Sequence, residues 1–192
     1  YWHQLPVLKG VVRSPIVRPD YSIWGQKGYD WVTGWYYDGP DFDLPENVSL
    51  EEAMQSKKAL DEMLFKNFVF DSDEDKANAW FWIFMAILRP VYNLAPYVVI
   101  NKPDIASGAS SLSEFGGLIV LGEHPYIISK VKDEEELRKR IETSLAGGHT
   151  IIVIDDLREI KLDVLNTYAT ATHFYIRILG KSKDVKIENN HL

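Results

Sequence analysis

Hydrophobic and polar positions follow two different patterns along the chain. Up to about residue 48 the apolar residues keep no helical period. Short runs at 7–12, 16–17 and 31–37 read as strands, and Gly10, Gly25, Gly28, Gly34 and Gly39 punctuate them as turns. Trp24, Trp31 and Trp35 are expected to pack this irregular β layer onto the rest. Ser49-Leu50-Glu51-Glu52 fits a capping box, and Ala53, Ala59, Leu60, Met63 and Leu64 follow at helical spacing, predicting a helix to about Lys66. Asp71, Ser72 and Asp73 offer a second helix start. The segment 73–88 is apolar nearly all round and stops at Arg89-Pro90, so a buried helix is expected, with Trp80 and Trp82 in the core.

From residue 96 the pattern becomes one of alternating strands and helices. Residues 97–101 and 126–131 read as strands, with a helix starting near Ser110. The segment 133–146 is a helix with Leu137, Ile141 and Leu145 on one face. Glu134–Arg138, Glu135–Lys139 and Glu136–Arg140 pair on the other, and Gly147-Gly148 ends it. Residues 150–154 are β-branched throughout, as in a strand buried on both faces of a parallel sheet. A helix over 157–169 and a strand over 173–179 follow. The order implies an α/β protein in three stretches: an aromatic β region (1–48), a two-helix segment (49–95) and an α/β core (96–192).

Composition narrows the function classes. Of 192 residues 46% are hydrophobic and 26% charged, as in a soluble globular protein, and the absence of cysteine excludes disulfides and thiolate metal sites. The net charge of −7 argues against a free-standing non-specific nucleic-acid binder, which needs a basic face, but leaves room for DNA contact through a few loops. No stretch of about 18 apolar residues is present, so no membrane partner is expected, and no basic segment leads into an apolar run, so a cytoplasmic location is the default. A start at Tyr1 and a stop on a strand-like segment read as an excised piece of something longer. The five histidines show no ligand spacing, and Asp30 and Asp38 lack the partner acid that glycosidase chemistry needs.

Two features of the second half carry chemistry. The segment 103–111 lies between a strand and a helix, where a phosphate-binding loop lies. Such a loop needs glycines for a tight anion-cradling turn, a lysine on the phosphates and a hydroxyl on Mg²⁺. Gly108 takes the last-glycine position and Ser110 the hydroxyl position, but Ala109 stands where lysine belongs and Pro103 where the first glycine belongs. On its own the segment reads as an ordinary small-residue turn. The second feature is Ile151-Ile152-Val153-Ile154-Asp155-Asp156, an apolar strand ending in two acids. There Asp155 would hold the Mg²⁺ shell and Asp156 would polarise an attacking water; otherwise this is a buried strand leaving the sheet through a solvated acidic turn. Carboxyl-end loops of an open α/β sheet meet at one crevice, so each feature strengthens the other.

With these features in order, the chain resembles the P-loop (AAA+-like) ATPase portion of replication proteins from phages, plasmids and other mobile elements, often fused to primases. The resembling stretches are Arg18-Pro19-Asp20, Gly28-Tyr29-Asp30 with Thr33-Gly34, Phe68-Val69-Phe70, Arg89-Pro90, Ala95-Pro96, the acidic-to-basic run from Asp133 to Ile141, the strand to Asp155-Asp156, and Arg177-Ile178-Leu179-Gly180-Lys181-Ser182. The resemblance implies a three-layer core with a parallel sheet and an ATP site at Ser107, Gly108, Ala109, Ser110 and Ser111. It also implies Mg²⁺ on Ser110 and Asp155, catalytic Asp155 and Asp156, and Arg177 as a finger toward a neighbouring subunit. DNA and a homo-oligomer, hexameric in habit, are the implied partners. Family loops run Gly-Ser-Gly-Lys-Ser where this chain has Ala106-Ser107-Gly108-Ala109-Ser110, and family members continue into a further strand with a polar sensor residue, before which this chain stops. Impaired hydrolysis is therefore expected. A non-catalytic module of the same fold, and an unrelated α/β enzyme using the loop for another anion, are the competing readings.

Overall fold

The computed structural model describes residues 5–92, 94, 96–102, 107–129, 131–157, 162–177 and 184–189. The protein is mixed α/β. In the N-terminal region β1 (Gly10–Val12) pairs in parallel with β5 (Trp35–Tyr37), which pairs antiparallel with β4 (Gly28–Asp30), while β2 (Ile16–Val17) pairs antiparallel with β3 (Ile23–Trp24). Period-two alternation sorts the side chains: Val12, Trp35 and Tyr37 face the core, and Val11 points to solvent. Trp31 departs from expectation. It lies in the turn between β4 and β5, 77% exposed and edge-on to Tyr29, so Trp35 and the partly buried Trp24 hold the layer down without it.

A buried ion pair fastens this layer. Asp30, 1% exposed, accepts from Arg18 Nη2 (2.7 Å), Arg18 Nε (3.2 Å) and Thr33 Oγ1 (2.8 Å), and the Arg18 guanidinium stacks over Trp24. Three of the sequence's polar signatures thus converge on one structural clasp. Burial pushes the Asp30 carboxyl upward, but the bonds from Arg18, Thr33 and the Val32 amide outweigh it and hold the group below its ordinary value.

Helix α1 (Leu50–Phe65) opens with the predicted capping box: Glu52 N donates to Ser49 Oγ (3.2 Å) and Ser49 N to the Glu52 carboxylate (2.9 Å). Only its last turn is anchored, by buried Phe65 and by Asp61, which accepts from Lys76 (2.6 Å) and Trp80 Nε1 (3.0 Å). Helix α2 (Asp73–Leu88) has the expected bounds. It buries Ala79, Trp80, Trp82, Ile83 and Ala86 but leaves Phe81 and Phe84 45% exposed, because its neighbours cover one side. Helix α3 (Ala109–Leu121) packs on α2 and β1. A side chain at Gly116 would come within 2.4 Å of the Trp82 ring, and one at Gly117 within 2.5 Å of Pro125, so both positions need glycine for close approach.

In the second half β6 (Tyr126–Ile128) and β7 (Ile152–Ile154) are parallel neighbours joined through α4 (Glu134–Ala146). Asp133 caps α4 through the Glu136 amide (2.8 Å). Glu135–Lys139 and Glu136–Arg140 pair as expected, at 2.6 and 2.5 Å, but Arg138 turns to the half-buried Glu142 (3.5 Å) and not to Glu134. Helix α5 (Leu162–Thr170) leads to the antiparallel pair β8 (His173–Arg177) and β9 (Asp184–Glu188). Leu157 lies outside the expected helix over 157–169, and residues 158–161 lie outside the described residues. So do residues 178 and 179 of the expected last strand; β9 was not anticipated.

Residues 97–101 form no strand, contrary to expectation. β7 has β6 as its one ladder partner among the described residues, and Tyr97, Val98 and Val99 stay exposed beside its open edge. For the same reason β7 is half-buried rather than covered on both faces. Two apolar clusters result, one around Trp35, Trp82 and Leu112, the other around Ile128, Leu137, Ile141 and Phe174. Arg89 ties them. Its guanidinium donates to the Tyr92 carbonyl and to the carbonyl and Oδ1 of Asn189 (2.6 and 3.1 Å), while Asn189 Nδ2 reaches the carbonyls of Tyr168 and Ala171 (2.8 and 2.7 Å). Burial pulls Arg89 down to about 10, so it stays charged at neutral pH.

The Asp30 clasp gives a pH prediction. A carboxyl lowered on folding adds stability above its unfolded value near 3.9, and that stability disappears as pH falls through the folded value. Asp30→Asn should remove about 3 kcal/mol at pH 7, measured by urea unfolding, and should flatten the loss of stability that the parent chain shows below about pH 5.

Candidate functional site

A cleft of about 410 Å³ opens between the two apolar clusters. One wall is the segment 97–102; the other is β7 with Asp155, Asp156 and Leu157; Ala109, Ser110 and Ser113 enter from the first turns of α3. Trp82 and Leu165 line it as well. A neighbouring apolar pocket of about 100 Å³ shares Tyr97, Ile152, Ile154 and Leu165 with it. The crevice among Val12, Trp35, Ala86 and Arg89, about 20 Å³, is too small for a ligand.

Helix α3 owes its direction to its first residues. Gly108 is its N-cap, in the left-handed region at φ +88°, and a Cβ there would meet Phe68 at 2.7 Å. The Phe68-Val69-Phe70 stretch therefore packs against the turn where the helix begins. Trp82 Nε1 donates to the Leu112 carbonyl (3.2 Å), holding the first turn from the core side. The first intrahelical bond among these residues is from Leu112 N to Gly108 O (2.9 Å), so the amides of Ala109, Ser110 and Ser111 precede it and have no acceptor among the described residues. Ser113 Oγ donates to the Ser110 carbonyl (2.8 Å).

Across the cleft, the β6–β7 ladder continues one bond past β7, from Asp155 N to Ile128 O (2.8 Å). Asp156 then takes φ +58° and donates its amide to Asp155 Oδ1 (2.9 Å). An acid tolerates that backbone region better than most residues, and the turn brings both carboxylates to the end of β7.

Of the anticipated site residues, Ala109, Ser110, Asp155 and Asp156 line one cleft. Ser107, Gly108 and Ser111 lie beside it without lining it, and Arg177 ends β8 opposite Asp184. Residues 103–106, including Pro103 and Ala106, lie outside the described residues. The lining residues not assigned to the site from the sequence include Lys102, Tyr97 and Trp82. Lys102 stands directly ahead of the turn, which was a readable signal; Trp82 was assigned to the core, where most of it is.

No cluster of three or more His, Cys, Asp or Glu suited to a metal occurs among the described residues. Ser110, Asp155 and Asp156 offer oxygen donors on one cleft, and a Mg²⁺ carried on a polyphosphate needs only one or two protein oxygens. No helix among the described residues is long and apolar enough to cross a membrane. No family model, curated protein or solved structure matches the chain.

The Gly108 geometry is testable by a double-mutant cycle. Gly108→Ala should destabilise by about 1–3 kcal/mol, combining left-handed strain and the clash with Phe68. Its effect should shrink, without vanishing, in a Phe68→Ala background, because the clash goes and the strain stays.

Proposed function

We propose that the chain is the nucleotide-binding part of a P-loop, AAA+-like ATPase core from a DNA replication protein, with a three-layer fold and with ATP hydrolysis impaired by Ala109. One observation carries this reading: the start of α3, with Ala109 and Ser110, and the end of β7, with Asp155 and Asp156, line the same cleft. The sequence motifs alone did not require that they meet.

In this reading the amides opening α3 meet the phosphates, and Ser110 and Asp155 hold the Mg²⁺ that ATP brings. Asp156 orients the attacking water, and Arg177 serves a neighbouring subunit of a homo-oligomer, hexameric by the resemblance, working on DNA in the cytoplasm. Charge stabilisation is the main work of phosphoryl transfer, so a neutral residue at 109 depresses turnover more than it depresses binding. The same absence favours the second reading, a non-catalytic module of this fold serving protein or DNA contact.

Nucleotide-induced thermal shifts test the proposal. Ala109→Lys should gain a Mg-ATP-dependent rise of roughly 5–10 °C at a hundredfold excess over Kd, worth about 2.7 kcal/mol, and the parent chain a smaller one. No response in either protein would rule the ATPase reading out. A response in Ala109→Lys without turnover, even after oligomerisation on DNA, would favour the non-catalytic module.

A further inference from the structure

Among the described residues Trp31 belongs to neither apolar cluster, and its surroundings give it another use. The registers of the sheet β1–β5–β4 set Val11, Tyr36 and Tyr29 side by side across its three strands, on the face turned away from the core. Trp31, in the turn after β4, meets Tyr29 edge-on at 5.0 Å and is 77% exposed. The Tyr29 hydroxyl donates to the Val7 carbonyl (3.0 Å), which lays its ring along the face. Cations border this aromatic row. Lys9 and Arg13 flank Val11 on the outward side of β1, about 13 Å apart along the strand. Lys27, two residues before Tyr29, pairs with Asp38 (2.7 Å), and the bond from Asp38 N to Val12 O (2.8 Å) sets Asp38 beside Arg13. Lys9 crosses the face over Gly34 and pairs with Glu188 (3.0 Å). Exposed pairs of this kind contribute little to stability, so these lysines exchange a carboxylate for a phosphate at small cost.

We infer that the outer face of β1–β5–β4 is a platform for single-stranded nucleic acid, with bases stacked on Trp31 and over Tyr29 and Tyr36, and phosphates on Lys9, Lys27 and Arg13. Such a strand needs flat rings for its unpaired bases and cations close by to follow its backbone. Each cation here stands two residues, about 7 Å, along its strand from Tyr29 or Val11, near enough for one nucleotide to touch both rows. A duplex hides the faces of its bases and gains nothing from the rings. The net charge of −7 keeps the affinity low and salt-sensitive, so the platform tracks a few nucleotides and is no free-standing binder. The inference uses no residue of the cleft and stands apart from the ATP-site reading.

Fluorescence anisotropy of short labelled oligothymidylate and oligouridylate tests this on the full chain, at low salt and without nucleotide or Mg²⁺. The parent should bind single strands more tightly than a duplex of equal length, and the ratio of the two affinities reports the preferred sugar. Trp31→Ala should weaken binding roughly 5- to 100-fold, the range for one stacked base. Trp31→Leu should weaken it as much, since it keeps apolar area without a ring. Trp31→Phe should stay within about threefold of the parent while losing much of the tryptophan quenching that binding produces. Lys27→Gln and Arg13→Gln should each flatten the slope of log K against log salt by about 0.7. Far-UV circular dichroism should be unchanged throughout, since Trp31, Lys27 and Arg13 are exposed. No binding by the parent, a preference for duplex, or equal affinity of Trp31→Ala and parent would overturn the inference and leave the ATP-site reading standing. Self-association of the parent that Trp31→Ala abolishes, with no oligonucleotide bound, would overturn it in favour of a contact between copies of the chain.

Discussion

The contact between Trp82 and α3 decides where the cleft lies. At Gly116 the helix comes so near the indole that no side chain fits, and at Leu112, one turn earlier, the indole N–H is bonded to the helix backbone. Two points on one ring fix both the distance and the direction of α3. The first turn of the helix held this way lines the same cleft as the end of β7. Gly108 and Phe68 set the start of the helix from the other side. The interior of the first apolar cluster thus determines the opening of a site at its margin.

The second constraint is the division of the core. One cluster gathers the N-terminal sheets with α2 and α3; the other gathers β6, α4, α5, β8 and β9. Chain connectivity alone would let them drift, and Arg89 with Asn189 closes the gap by bonding the backbone carbonyls of Tyr92, Tyr168, Ala171 and Asn189. Space remains where the clusters do not touch, and β7, with β6 as its one ladder partner among the described residues, faces that space together with Asp155 and Asp156. The cleft therefore has both polar and apolar lining residues, a combination suited to a ligand with a charged and an uncharged part.

Much of this was legible in the residues, and the failures have physical causes. Helices α2 and α4 were predictable to within a residue because caps and periodicity agree: Ser72 and Asp133 sit where the apolar stripes begin. Strand 97–101 failed because an apolar run states a preference for burial and not for a partner, and among the described residues it pairs with no strand. Trp31 failed because an aromatic residue in a turn goes where the turn points it. The site divides the same way. Ser110, Asp155 and Asp156 were visible as local patterns at helix and strand ends, whereas Trp82 reaches the cleft through tertiary approach, which spacing along the chain does not encode. Arg18 and Asp30 were both singled out, but their pairing across twelve residues was not read from the sequence.

The central claim is that the opening turn of α3 and the closing turn of β7 form one ligand-facing surface. Backbone amide chemical shifts followed during titration with Mg²⁺-bound triphosphate measure this directly. The account predicts that Ala109, Ser110, Asp155 and Asp156 shift together, with one shared midpoint. Shifts confined to one of the two turns, or midpoints that differ between them, would contradict it.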